Sequence, residues 1–277
     1  MLQKRILLTV SAIVLTFLLF LLPKVVVEND ESEVTSNEAG TESDTNSKRT
    51  SNFDHGVELD ENLLRQISHL RESLNNSEIN EKSITFADSL VILFRQGGKL
   101  DSTAKYLEWK ALNFPNEENM LNAGLGYYEA FGFAVDHNKL NYLGDKARTY
   151  LNQILENHPD RLDLKSKIAM TYVSSSNPMQ GILMLREVVE IDPENVEAIF
   201  NLGLLSRQSG QFEKAVERFE KLISIDKSNI QARFLLGLSH LDLENESAAK
   251  KHFEIIKNTA TDPAVIATVD GYLNEIN

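Results

Sequence analysis

The chain has 277 residues, a formal net charge of −13, 42% hydrophobic residues and no cysteine. Such an acidic chain is a poor general nucleic-acid binder, because affinity for phosphates comes largely from basic side chains. The lack of cysteine excludes disulfides, thiolate metal ligands, a cysteine nucleophile and the lipid-bearing cysteine of a lipoprotein.

The first predicted element is a membrane-spanning helix within residues 1–27. Residues 6–22 form an apolar run that only threonine and serine interrupt. The length of this run is close to the lower limit for a helix that crosses a bilayer. The alternative is a cleaved signal peptide, but the residues around Pro23 include no pair of small side chains for a cleavage site. The sequence therefore favours an uncleaved anchor that holds the protein in the membrane through residues 6–22.

Positive charge predicts the orientation of this anchor. Lys4 and Arg5 precede the apolar run, and only Lys24 follows it before Lys48. Basic residues stay on the cytoplasmic side, so the amino terminus is predicted to be cytoplasmic and the remainder to be exported. The exported part would be periplasmic in a bacterium, whereas in a eukaryote the same topology would indicate a lumenal or organelle-surface protein.

Residues 28–56 are predicted to be a disordered acidic linker. Seven acidic residues precede the first base of this segment, Lys48, and serine, threonine, asparagine and glycine surround them. A segment of this composition buries too little apolar surface to offset the entropy lost on ordering. We interpret it as a solvated spacer, and binding to a basic partner is the alternative.

Residues 57–80 are predicted to form a leading helix. Its apolar residues recur every three or four positions and form one stripe: Leu59, Leu63, Ile67, Leu70 and Leu74. This stripe would pack on the helix that follows. A dimerising helix is the alternative, but the stripe lasts little more than two heptads, which favours a monomer.

The remaining chain repeats at a fixed period. A set of small and large residues recurs every 34 positions. Its three occurrences are Ala169, Gly181, Leu185 and Val188, then Gly203, Ala215, Phe219 and Leu222, and then Gly237, Ala249, Phe253 and Ile256. Small and large side chains at fixed positions predict two closely packed helices per unit. Gly210-Gln211 is placed at the turn between them, and Asn177-Pro178 is placed at a helix start.

These residues resemble the tetratricopeptide repeat (TPR), whose units are about 34 residues long. The clearest unit is 196–229, and about five units span 81–263. An insertion near 135–145 separates Gly124 from Ala147 by nearly twice the spacing between the matching positions Gly203 and Ala215. The resemblance implies an all-α fold, a right-handed α-solenoid of helix pairs. A last helix in 264–277 would cap the array.

No motif for catalysis or for a cofactor is present. The six histidines do not form HExxH, and the chain lacks GxxxxGK[ST] and GxSxG. Asp136, His137 and Asp145 lie in the insertion, where a solvated loop is a simpler interpretation than a weak cation site. We therefore expect no enzyme activity, no metal and no cofactor.

The resemblance implies a concave groove, lined by the first helix of each unit, that receives a protein or peptide. The family's groove positions correspond here to Asn122, Lys167, Met170, Phe200, Asn201, Leu204, Arg207, Phe234 and Leu238. Asn201 occupies a position that contacts the ligand backbone in the family, and Lys167 and Arg207 would favour an acidic flank. Alternatively, Phe200 and Phe234 pack between neighbouring repeats.

Two functions are consistent with this organisation. The first is a membrane-tethered, non-enzymatic scaffold or adaptor for protein complexes of the cell envelope. The second is an accessory, chaperone-like factor that holds a client polypeptide, as in cytochrome c maturation systems, although only the combination of anchor and repeats supports that analogy.

Overall fold

The computed structural model describes residues 59–276, which form twelve α-helices and no β-strand. The predicted all-α fold is thus confirmed for this part of the chain. The helices are α1 (Glu61–Asn75), α2 (Glu81–Gln96), α3 (Leu100–Asn113), α4 (Glu117–Gly132), α5 (His137–Asn157), α6 (Leu162–Val173), α7 (Pro178–Ile191), α8 (Val196–Gln208), α9 (Phe212–Ile225), α10 (Ile230–Asp242), α11 (Glu246–Thr259) and α12 (Pro263–Ile276).

Local sequence signals decide where these helices begin and end. At the starts of α8 and α10, the side chains of Asn195 and Asn229 accept hydrogen bonds from backbone amides, at 3.0 and 2.8 Å. Such caps satisfy amides that have no partner inside the helix. Gly210 has a φ of 72° between α8 and α9, a conformation that glycine adopts without strain. α7 begins at Pro178 as predicted, although Asn177 makes no side-chain capping bond.

The helices pack in chain order, and α2–α11 form five pairs. Within a pair the two helices contact each other, and the second helix of each pair also contacts the first helix of the next. The first helices α4, α6, α8 and α10 additionally touch one another in series. Because every pair buries its apolar surface against its neighbours, the core runs along the array as a chain of linked clusters.

The glycines of the repeat allow the helices of a pair to approach closely. A Cβ atom added at Gly203 would lie 2.7 Å from Cε1 of Phe219, and one added at Gly237 would lie 2.6 Å from Cε1 of Phe253. Both phenylalanine rings are fully buried. The small and large residues that define the repeat period are therefore packing partners.

The pair α6/α7 makes the same close approach with the small residues exchanged. Ala169 occupies the position of Gly203, and Gly181 occupies the position of Ala215. A Cβ atom on Gly181 would collide with the backbone oxygen of Ala169 and would lie 2.9 Å from the backbone nitrogen of Val173. At this crossing, glycine is required by a neighbouring backbone and not by an aromatic ring.

From His137 onward the inserted residues near 135–145 are helical, so their interpretation as a solvated loop was wrong for all but Val135 and Asp136. They lengthen α5 to 21 residues, where α7 and α9 have 14. Asp136 caps this helix, because its side chain accepts a hydrogen bond from the backbone amide of Lys139 at 2.8 Å. Leu143 of the same helix is buried. The Lys139 ammonium also contacts Asp101 of α3 at 2.5 Å. The cap, the buried leucine and this ion pair together stabilise the additional turns.

Helices outside the five pairs cover the two ends of the array. The apolar stripe of α1 packs on α2, where Ile67 and Leu74 are buried against a cluster that includes Leu90 and Phe94. The stripe thus makes the contacts expected of a leading helix. At the other end, α12 packs on α11 and buries Val269. Both end helices cover apolar surface that the adjacent pair would otherwise expose.

The predicted membrane helix in residues 6–22 and the predicted linker in 28–56 lie outside the described residues. Between residues 59 and 276, no helix has both the length and the apolar character needed to cross a membrane.

Candidate interaction surface

The first helices of the pairs, α4, α6, α8 and α10, line one side of the array, which we call the first-helix face. All the residues that the sequence predicts for a ligand groove lie on these helices. Asn122 is on α4, Lys167 and Met170 are on α6, Phe200, Asn201, Leu204 and Arg207 are on α8, and Phe234 and Leu238 are on α10. Each of these residues is half-buried.

The rings of the two phenylalanines of this set pack on the second helix of their own pair. The ring of Phe200 meets that of Phe219 edge-on, with centroids 6.1 Å apart. Phe234 lies 5.8 Å from Phe253 and 5.6 Å from Tyr272 of the terminal helix α12. The apolar patch is consequently less exposed than the sequence alone indicates. Among these ring contacts, the one between Phe234 and Tyr272 joins different repeat elements, whereas Phe200 meets a ring of its own helix pair.

Two amides on the first-helix face remain available to a ligand. Within residues 59–276, the side chains of Asn122 and Asn201 make no hydrogen bond. Each amide has donors and an acceptor that match a peptide backbone. Leu204 and Met170 lie on the same face as partly buried apolar groups at the edges of core clusters. The face thus offers apolar contacts beside unused amides.

Ion pairs join neighbouring first helices, from α2 to α10, and two of the three pairs lie wholly on this face. Three cations each contact an acid on the next first helix: Arg95 with Glu129 at 2.8 Å, Lys167 with Glu197 at 3.2 Å, and Arg207 with Asp242 at 2.8 Å. We call these three contacts the cross-repeat ion pairs. The expectation that Lys167 and Arg207 favour an acidic flank is therefore not supported, because the carboxylates of the array itself already neutralise both cations.

Sequence reasoning missed the cross-repeat ion pairs. The available signal was spacing, since Glu129 follows Arg95, and Asp242 follows Arg207, by about one repeat length. Residues one period apart lie at matching positions of adjacent repeats. Opposite charges at that spacing on first helices therefore indicate a pair across the repeat boundary.

An aromatic contact extends the polar network to α4. The ammonium of Lys167 lies 5.8 Å from the centroid of the Tyr128 ring. Burial, together with the negative charge of Glu197, raises the pKa of Tyr128 to about 12. The tyrosine therefore stays protonated at neutral pH, and its ring face attracts the cation. Lys167 is held from both sides, by α4 and by α8.

A second polar cluster joins α3 to α4 and α5. Glu108 accepts hydrogen bonds from the Tyr127 hydroxyl at 2.6 Å, the Lys146 ammonium at 2.7 Å and the Tyr150 hydroxyl at 2.9 Å. Burial acts to raise the pKa of Glu108, but these hydrogen bonds outweigh it and hold the pKa below its usual value. A carboxylate that three donors engage is a structural anchor for α5, and it is poorly placed to act as a general base.

Two histidines stack between α10 and α11. The rings of His240 and His252 are 5.6 Å apart and nearly parallel. Within the described residues, the buried Nδ1 atom of each ring has no hydrogen-bond partner. Burial lowers the pKa of His252 to about 4, and the neighbouring His240 adds to the shift. Both rings are therefore neutral at pH 7.

Residues 59–276 contain no group of three or more side chains arranged to hold a metal ion. The residues considered for a weak cation site have other roles. Asp136 caps α5, and Asp145 pairs with Arg148 one turn along the same helix. His137 is the first residue of α5.

Comparison with known proteins identifies the repeat. A family model for the tetratricopeptide repeat matches residues 184–217, which extend from α7 through α8 into α9. A tetratricopeptide repeat protein from Parabacteroides merdae ATCC 43184 superimposes with a TM-score of 0.56 at 15% identity, over 77% of this chain and 79% of that one. The described residues therefore have a TPR-like fold.

Two further solved structures match with TM-scores below 0.5. A crystal structure of MamA protein matches with a TM-score of 0.46 at 20% identity, covering 62% of this chain and 88% of that one. MamA 41-end from Desulfovibrio magneticus RS-1 matches with a TM-score of 0.48 at 17% identity, covering 65% and 96%. No curated protein is significantly similar in sequence.

Proposed function

We propose that this TPR protein is a membrane-tethered scaffold whose first-helix face binds a segment of a partner protein in the cell envelope. TPR arrays bind protein partners, and this fold typically serves interaction without a reaction of its own. The observation that carries the proposal is the presence of the unused amides of Asn122 and Asn201 beside the partly buried side chains of Met170 and Leu204. This combination supplies backbone recognition together with apolar contact.

The tether in this proposal rests on the sequence. Residues 6–22 would anchor the chain in the membrane, and 28–56 would separate the array from the bilayer. With Lys4 and Arg5 on the cytoplasmic side, the array would work in the exported compartment, which is the periplasm if the source is bacterial. The array itself acts as a monomer in this proposal, because the stripe of α1 already packs on α2.

A photo-crosslinking amino acid at position 208 tests the proposed surface. Gln208 is exposed at the end of α8 on the first-helix face, and Lys221 is exposed on the second helix α9. In cells that express the full chain, the probe at position 208 is expected to capture partners that the same probe at position 221 does not. The combined variant Asn201→Ala with Leu204→Ala should weaken this capture by about tenfold, as expected for the loss of central contacts.

Equal capture from positions 208 and 221, or capture that the combined variant leaves unchanged, would place the interaction outside the first-helix face. Thermal unfolding of the combined variant must accompany the measurement, since Leu204 also packs on a core cluster. The identity of the captured chain separates the two envelope functions. Folded envelope proteins support the scaffold, whereas unfolded polypeptides such as apocytochromes support the client-holding factor.

A further inference from the structure

The cross-repeat ion pairs determine which charge a ligand meets on the first-helix face. Lys167 contacts both carboxylate oxygens of Glu197, at 3.2 and 3.4 Å. The Nε atom of Arg207 lies 2.8 Å from a carboxylate oxygen of Asp242, a charge contact without hydrogen-bond geometry, and side-chain exposure in this second pair is 31% and 28%. Each of these two cations, on α6 and α8, is thus matched by an acid on the following first helix. The face has cationic side chains at predicted ligand positions, but the acids of the array neutralise them.

An acidic ligand would gain little from these cations. To reach Lys167, a ligand carboxylate must displace Glu197, which the fold already holds in place without any cost of association. It would also lie beside the displaced acid and be repelled by it. A basic ligand would have to displace Lys167 or Arg207 to reach an acid of the array, and the displaced cation would repel it. Uncharged segments avoid both penalties and can still use the amides and the apolar groups.

We propose that the first-helix face selects uncharged, apolar segments. Glu197 and Asp242 pair with Lys167 and Arg207 and thereby prevent these cations from binding acidic ligands. The inference rests on the proposed function, because it concerns the ligand of the same surface. It makes a specific prediction about the two acids. Neutralising them should turn Lys167 and Arg207 into free cations and convert the surface into a binder of acidic segments.

The test uses three synthetic peptides of about 15 residues, a length that spans several repeats in extended form. They share the same apolar positions and differ only in the intervening residues, which are glutamine, glutamate or lysine. Affinities are measured by calorimetry for the full chain in detergent and for the variant Glu197→Gln/Asp242→Asn. The control is Glu190→Gln/Glu213→Gln, which makes the same change in net charge at exposed positions of α7 and α9.

The unmodified protein is expected to bind the glutamine peptide most tightly, with an affinity that hardly changes between about 0.05 and 0.5 M salt. The acid-neutralised variant should bind the glutamate peptide about tenfold more tightly than the unmodified protein does, and salt should remove this gain. The control variant should show no such gain. Preference of the unmodified protein for the glutamate peptide would overturn the inference while leaving the proposed function intact.

Two further outcomes are decisive. Failure of all three peptides to bind either protein would reject peptide binding at this face, and the proposed function with it. If the acid-neutralised variant does not fold by circular dichroism, Lys167→Gln/Arg207→Gln replaces it. Because this change leaves Glu197 and Asp242 without their cations, the variant should bind the lysine peptide about tenfold more tightly than the unmodified protein does, and salt should remove this gain. An unchanged affinity for the lysine peptide would show that these cations do not neutralise the two acids, against the inference.

Discussion

At the scale of single residues, the side-chain volume at helix crossings determines how closely the helices of a pair approach. Gly203 and Gly237 each face a buried phenylalanine, whereas Gly181 faces the backbone of α6. An aromatic ring has some freedom to shift, but a helical carbonyl oxygen is held by its own hydrogen-bond ladder. Substitution at these glycines should therefore cost more where the neighbour is backbone.

The change Gly181→Ala should destabilise the array by about 1–3 kcal/mol, the usual cost of overpacking, despite the better helix propensity of alanine. Its matched control is Gly271→Ala in α12, where an added Cβ meets no atom within 4 Å. That change should instead stabilise the protein by about 0.5–1 kcal/mol. Urea unfolding measures the free energy of unfolding of both variants. A value for Gly181→Ala equal to that of the unmodified protein would mean that α6 and α7 do not approach this closely.

The larger change Gly203→Leu should also cost about 1–3 kcal/mol, because the ring of Phe219 is fully buried and has no vacant space to enter. Thermal unfolding of the full chain measures the effect. A melting temperature close to that of the unmodified protein would contradict the assigned register of the repeat.

At the scale of helices, the polar side chains between neighbouring helices differ from one helix contact to the next. Glu108 joins α3 to α4 and α5 through three short hydrogen bonds. Between α10 and α11 the interior instead holds two neutral histidines. The position of His252 is occupied by Arg218 one repeat earlier and by Met184 two repeats earlier, so the repeat itself tolerates an apolar residue there.

The histidine pair should make the last repeat sensitive to acid. The pKa of His252 is lowered to about 4 by burial, against about 6.5 in an unfolded chain. The unfolded state therefore binds a proton first as the pH falls, and stability should be lost between about pH 6.5 and 4. Glu220 acts on His240 in the opposite sense, whereas Arg233 and Lys251 add to the lowering at His252.

Urea unfolding at pH 7.5 and pH 5 measures this effect in the unmodified protein and in His252→Met, which copies the residue of the α6/α7 pair. The loss of stability on acidification should be smaller in His252→Met. Equal losses in the two proteins would assign the acid sensitivity to other groups.

At the scale of the whole molecule, the described residues form a TPR-like array of helices that is covered at both ends, and the proposed anchor would set where it works. The end helices α1 and α12 bury the apolar surfaces of the outermost pairs. An array covered in this way leaves its first-helix face as a surface with unused amides. The anchor would then restrict that surface to partners on one side of the membrane.

The proposed topology predicts the compartment of the carboxyl terminus. Because Lys4 and Arg5 precede the apolar run 6–22, alkaline phosphatase fused after Asn277 should be active in a bacterial host. Replacing Lys4 and Arg5 by glutamate should reduce that activity. Activity of a reporter that works only in the cytoplasm, fused at the same position, would contradict the export of the array.

Much of the fold could be predicted from the sequence because it depends on local and periodic signals. The recurrence of Gly203 as Gly237 and the turn at Gly210 record contacts within one helix pair, where the partners are near in the chain. The helical insertion was missed because its stability comes from Asp136 and from an ion pair with α3, which no repeat pattern specifies.

The sequence by itself determined the helix pairs, their register and the residues that share the first-helix face. Only the tertiary structure decided what those residues do there. It placed Phe234 against Tyr272 of α12, and it paired Lys167 with Glu197. The physical reason is distance along the chain. These contacts join side chains on different helices, and they form only when stacking of the repeats has fixed the positions of both partners.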